Sequence, residues 1–92
     1  GDVLGLARTT AALAELLARV GQMEHALQLL GESIQLNVEK GSPIGLAYNR
    51  RSLEALSRSA VPSLAGMHKE VHRRLTTAEA SIGRIKLSGE RD

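Results

Sequence analysis

Cysteine is absent from the 92 residues, so disulfides, thiolate nucleophiles and thiolate metal ligands are all excluded. Phenylalanine and tryptophan are absent too, which leaves Tyr48 as the only ring of its kind. A core without them must be built from Leu, Ile, Val, Ala and Met, which suits helices that approach closely over small side chains. No apolar run of 18 residues or more occurs, and no leader-type segment is visible. Nothing therefore points to export or to a membrane, and a cytoplasmic location is expected. Sustained apolar–polar alternation is missing, as are Asn-Gly and Asp-Gly pairs, so no β-hairpin is expected. A chain of this length makes one small domain and buries only about 60–65% of its unfolded surface, so its stability is marginal.

What is present is periodic. Gly5-Leu6-Ala7 recurs as Gly45-Leu46-Ala47, and Leu13 and Leu16 recur as Leu53 and Leu56, each 40 positions later. Gly1-Asp2 matches the junction Gly41-Ser42 at the same offset. A fixed period of about 20–50 residues marks a stacked repeat, in which each unit covers its neighbour's apolar face. Because Gly1 falls on a repeat boundary and no initiator Met precedes it, the chain is expected to be an excerpt of a longer protein.

The segments follow from spacing and end signals. Leu6, Leu13, Leu16, Leu17 and Val20 share a helical period between Val3 and Val20, with Asp2 as N-cap and Gly21 as stop. Met23, Ala26, Leu27, Leu30, Ile34 and Val38 give a second helix from Gln22 to Lys40, closed by Gly41. Ser42 as cap and Pro43 at the first helical position open a third, running to about Arg58. Pro62 breaks the Ser-rich stretch that follows. Leu64, Met67, Val71, Leu75, Ala78, Ile82 and Ile85 then form one stripe on a long last helix, from about Ser63 to Leu87, with residues 88–92 expected to fray.

Leu13-Ala14-x-x-Leu17, Gly21 and Ala26-x-x-x-Leu30 together resemble the tetratricopeptide repeat, whose pattern is Trp-x-x-Leu-Gly-x-x-Tyr, a turn glycine and Ala-x-x-x-Phe. Leu13, Gly21 and Ala26 match; Ala14 stands for the small Gly, Leu17 and Leu30 for the aromatics, and Thr10 for the Trp. The period of 40 is similar to the extended subclass of signalling scaffolds and bacterial regulatory ATPases. The resemblance implies an all-α solenoid fragment of two hairpins: residues 1–41, then a degenerate residues 42–87 with a long C-terminal helix. In the second repeat the match resumes at an offset of 45, with Gly66 for the turn glycine, Val71 for Ala26, Leu75 for Leu30 and Ala78 for Ser33. Ala14, Ala26 and Ser33 are expected to let the helices approach, while Leu13, Leu17 and Leu30 fill the space between hairpins.

Charge and chemistry narrow the function. Residues 1–45 carry three Lys/Arg against five Asp/Glu, and residues 46–92 carry nine against five. The basic half favours an acidic partner. His68 and His72 lie at i and i+4, but they lack both a third ligand and the Glu placement of a zinc protease. No phosphate loop, dinucleotide fingerprint or nucleophile elbow is present, and no enzyme, cofactor or metal site is expected. Lys69, Arg73, Arg74, Arg84 and Lys86 could follow phosphates, which makes a basic nucleic-acid-binding surface a lesser alternative, since single-strand binding usually uses aromatic platforms that this chain lacks.

The resemblance implies instead a non-enzymatic scaffold whose first helices line a concave groove, from Arg8, Ala11, Glu15 and Arg19 in one repeat and from Tyr48, Arg51, Ala55 and Arg58 in the other. The partner expected there is a protein or peptide with acidic groups. Both ends should expose apolar faces that neighbouring repeats would cover. Along the last helix, Val71, Leu75, Ala78, Ile82 and Ile85 outrun what the first hairpin can cover, so a homodimer through that helix is the alternative expectation.

Overall fold

A computed structural model describes the backbone of residues 3–91 and the side chains of residues 5–82. The described residues form four α-helices, α1 (Val3–Arg19), α2 (Met23–Lys40), α3 (Pro43–Ser57) and α4 (Ala65–Arg91), with a single 3-10 turn at Pro62–Leu64. No strand occurs among them. The expected N-cap Asp2 lies outside them.

Glycine closes the first two helices because each must end in the left-handed region, where a Cβ is penalised. Gly21 has φ 84° and Gly41 φ 65°. In both places the next residue reaches back five positions, Gln22 N–H to Leu17 C=O at 2.8 Å and Ser42 N–H to Asn37 C=O at 3.0 Å. Ser42 then caps α3, its Oγ accepting the Gly45 N–H at 2.9 Å. The link after α3 has no such device, and α4 is reached through the turn at Pro62. Gly66, aligned above with a turn glycine, lies within α4 and has no positive φ. The second pair is therefore joined by an extended link instead of a glycine turn. The last helix also continues to Arg91, so residues 88–91 are helical where fraying was expected.

Packing uses the small residues. Ala14, Ala26 and Ser33 are fully buried, so α1 and α2 close tightly on each other. Leu27, Leu30, Leu46, Leu56 and Leu75 are the largest fully buried apolar side chains, drawn from α2, α3 and α4 into one core. Val71, Leu75, Ala78 and Ile82 all belong to this core, packed within the chain. The stripe expected to lie uncovered is thus covered as far as Ile82, and the exposure that motivated a dimer through α4 is not found there. Ile85 lies outside the described side chains. Leu13, expected between hairpins, instead stands 45% exposed.

A polar chain threads this apolar core. The Ser33 hydroxyl donates to the Ala7 carbonyl at 2.6 Å. Asn49 Nδ2 donates to Ser33 Oγ at 2.8 Å, and Asn37 Nδ2 donates to Asn49 Oδ1 at 2.7 Å. These residues tie α1, α2 and α3 together below the surface, where an unmade bond would be costly. α4 is fastened differently. Arg50 on α3 forms an ion pair with Glu79, with its Nε at 3.3 Å from Oε2 and its Nη2 at 3.2 Å from Thr76 Oγ1. The Glu79 hydrogen bond holds the Arg50 guanidinium further above its ordinary value.

Gly45 is the tightest point, since a Cβ there would come within 2.0 Å of Asn37 Oδ1 and 2.4 Å of its Cγ. Gly45→Ala should therefore destabilise the protein by about 2–3 kcal/mol. Gly66→Ala, where a Cβ meets nothing within 4 Å, should stabilise it by about 0.5 kcal/mol. Urea denaturation of both variants checks the pair, and equal effects would contradict the packing at Gly45. Ala26→Leu at a fully buried contact should cost about 1–3 kcal/mol by the same measurement.

Candidate binding groove

α1 and α3 lie side by side, and the surface between them is shaped by what each presents. α1 contributes small residues: Ala7 and Ala11 are 1% and 4% exposed and lie at the base of the contact. The positions 40 residues later on α3 are Ala47 and Arg51, and Ala14 is matched by Glu54. All three of these are exposed. The outward side of α3 is therefore mostly charged where α1 is alanine-lined and buried.

Glu15, Tyr48, Arg51, Ser52, Glu54, Ala55 and Arg58 line an open cleft of about 360 Å³. Ser52 Oγ donates to Glu15 Oε2 at 2.9 Å, which joins α1 to α3 across the cleft floor. Tyr48 forms one end, and the Arg8 guanidinium stacks over its ring, 4.8 Å from the centroid. Beyond Tyr48 a small hollow of about 10 Å³ is lined by Ala7, Arg8, Ala11, Asn37, Ile44, Gly45, Tyr48 and Asn49. Asn37 Oδ1, buried and without a hydrogen-bond partner, lies against Gly45 at this hollow. The end of the buried polar chain thus comes up beneath Tyr48.

Of the residues assigned above to partner binding, Glu15, Tyr48, Arg51 and Arg58 share this one cleft. Arg8 joins it through Tyr48. Arg19 is exposed on α1 but is not among the lining residues, and Ala11 is buried at the base instead of lining the open surface. Sequence spacing missed Ser52 and Glu54, and with them an acidic contribution that tempers the expected basic balance. It also missed Asn37 and Asn49. Their signal was available: each is an amide on a helix face otherwise reserved for core residues.

Elsewhere the charged and metal-type groups are dispersed. His68 is half-buried and its Nε2 has no partner, while His72 is exposed. Among the described residues no three His, Asp or Glu side chains converge. Arg73 on α4 is engaged by Glu70, with Nε to Oε2 at 3.1 Å, and this bond lowers the Glu70 carboxyl below its usual value. Arg74 Nη1 lies 3.2 Å from the place of a Cβ on Gly31. No described helix is long and apolar enough to cross a membrane.

Comparison with family models, with curated proteins and with solved structures returns no match.

Because Tyr48 is the only aromatic residue, its emission reports on the groove alone. Arg8→Ala should alter Tyr48 emission while lowering stability by no more than about 1 kcal/mol and leaving far-ultraviolet circular dichroism unchanged. Emission identical to that of the parent protein would show that the stack does not form in solution.

Proposed function

We propose that this protein is a non-enzymatic interaction module, and that the cleft between α1 and α3 holds a peptide or a partner helix carrying carboxylates. The observation that carries this reading is the convergence of Tyr48, Arg51 and Arg58 on one open cleft of about 360 Å³, with the small Ala55 leaving room beside them. Two guanidiniums on one helix face suit bidentate recognition of carboxylates, and Tyr48 offers an amphipathic wall with little rotamer entropy to lose. Glu15 and Glu54 set the other half of the specificity. A peptide acidic where it meets Arg51 and Arg58, and neutral or basic where it passes the glutamates, fits the charges best. The 40-residue period, the two glycine-closed helices and the resemblance of residues 1–58 to tetratricopeptide repeats support the same class of function.

The test is a titration with a glutamate-rich peptide ending in a free carboxylate, read by Tyr48 emission. Saturable binding that weakens with salt is expected, with a loss of about 1–3 kcal/mol for the Arg51→Glu/Arg58→Glu variant at unchanged helicity. Equal binding by that variant, or equal binding of a lysine-rich peptide, sinks the proposal.

A further inference from the structure

The two halves of the internal repeat bury opposite sides. On α3, Leu46, Leu53 and Leu56 are 2%, 3% and 1% exposed, because α2 and α4 both pack against this helix. Their counterparts 40 positions earlier on α1 are Leu6, Leu13 and Leu16, which are 54%, 45% and 54% exposed. Thr9 and Ala12, the counterparts of the buried Asn49 and Ser52, are exposed as well. Beside these leucines lies an open, mainly apolar hollow of about 400 Å³ between α1 and α2, lined by Leu6, Thr10, Leu29, Glu32, Gln35 and Leu36. The repeat itself says what belongs in such a place: around α3, the corresponding side is met by α2, whose Asn37 and Ser33 reach Gly45 and Asn49, with α4 beside it.

We infer that this face of α1 is a stacking surface for one further helical hairpin, whose second helix lies on α1 as α2 lies on α3. The sequence keeps the features that this seating requires. Gly5 occupies the position of Gly45, the point on α3 where a Cβ would collide with the Asn37 amide of the covering helix. Leucine is retained at all three core positions, although nothing within the described chain covers them. The half-buried Leu29 and Leu36 on α2 extend the apolar surface across the hollow, so that the incoming helix would touch both members of the first pair. Thr9 in place of Asn49 supplies a hydroxyl where the covering helix would bring its own polar residue. Exposed leucine, isoleucine or valine scattered singly would need no explanation, but three on one face that repeat a buried set do.

The experiment supplies the occupant. A second copy of residues 1–40 is placed directly ahead of Gly1, so that Lys40 joins Gly1 at the native period and the added α2 can reach α1. The extended protein is expected to unfold in one cooperative transition, with a steeper denaturant dependence and a midpoint raised by about 1 M urea or more. Leu13→Glu with Leu16→Glu in the original α1 should abolish that gain. The same pair in the unextended 92-residue chain serves as the folding control and should leave its midpoint nearly unchanged, since both side chains are about half exposed there. Two separate transitions, or an unshifted midpoint, would overturn the inference. So would sedimentation of the unextended chain as a dimer at tens of micromolar that the paired substitutions convert to monomer, because the face would then belong to a second copy.

Discussion

The arrangement of α1, α2 and α3 depends on the chain of buried hydrogen bonds from the Ala7 carbonyl through Ser33 and Asn49 to Asn37. An all-helical core of Leu and Ala is a permissive one: side chains of similar shape recur at every turn, and helices could shift past one another with little change in buried area. The polar chain removes that freedom. A slip of one turn at either the α1–α2 or the α2–α3 contact would strand a hydroxyl or an amide among apolar groups, at about 1–3 kcal/mol for each orphaned group. The small residues around it are the other half of the same constraint. Ala7, Ala11 and Gly45 let the backbones come close enough for such short side chains to reach across.

The groove is a by-product of that closeness. With α1 and α3 held against each other by alanines and by the Ser52–Glu15 bond, the longer side chains next to the contact can only turn outward. Tyr48, Arg51 and Arg58 do so on one helix face, and Arg8 settles on the tyrosine ring. The positions of these side chains follow from the scaffold: a helix that must present Gly45 and Asn49 inward has Tyr48, Arg51, Ala55 and Arg58 left for solvent.

Much of the fold was legible in the sequence because helices advertise themselves by period and by end signals. The spacing of Met23, Ala26, Leu27, Leu30 and Ile34, the αL glycines and the Ser42-Pro43 start place the first three helices to within a residue or so. The second pair was less legible. Gly66 sits where an alignment wants a turn, yet a glycine can also lie inside a helix, and only the backbone angle distinguishes the two. Burial was the least legible quantity. Leu13 and Leu53 are identical in type and neighbourhood but differ by 42 percentage points in exposure, because burial depends on which helix lies opposite, and one sequence segment does not state its neighbours. For the same reason the apolar stripe on α4 read as surplus although it packs into the common core as far as Ile82. Five of the seven residues lining the cleft, Glu15, Tyr48, Arg51, Ala55 and Arg58, were placed in one groove by the tetratricopeptide resemblance; Ser52 and Glu54 escaped because nothing in their type distinguishes a cleft wall from an ordinary solvated helix.

The charged outward side of α3 has a consequence for how copies of this molecule can meet. A repeat fold whose two ends were alike would be an open-ended polymer in waiting, since each unit's trailing face could accept the next unit's leading face without limit. Here the leading face offers leucines, while the trailing one replaces alanines with Arg51 and Glu54 at the positions where close approach would be needed. A head-to-tail contact between copies would have to desolvate both charges against hydrocarbon, which is costly. The two outer sides of the molecule thus differ in chemistry: α1 presents leucines, α3 presents Arg51 and Glu54, and Arg51 belongs to that charged side and to the cleft at once.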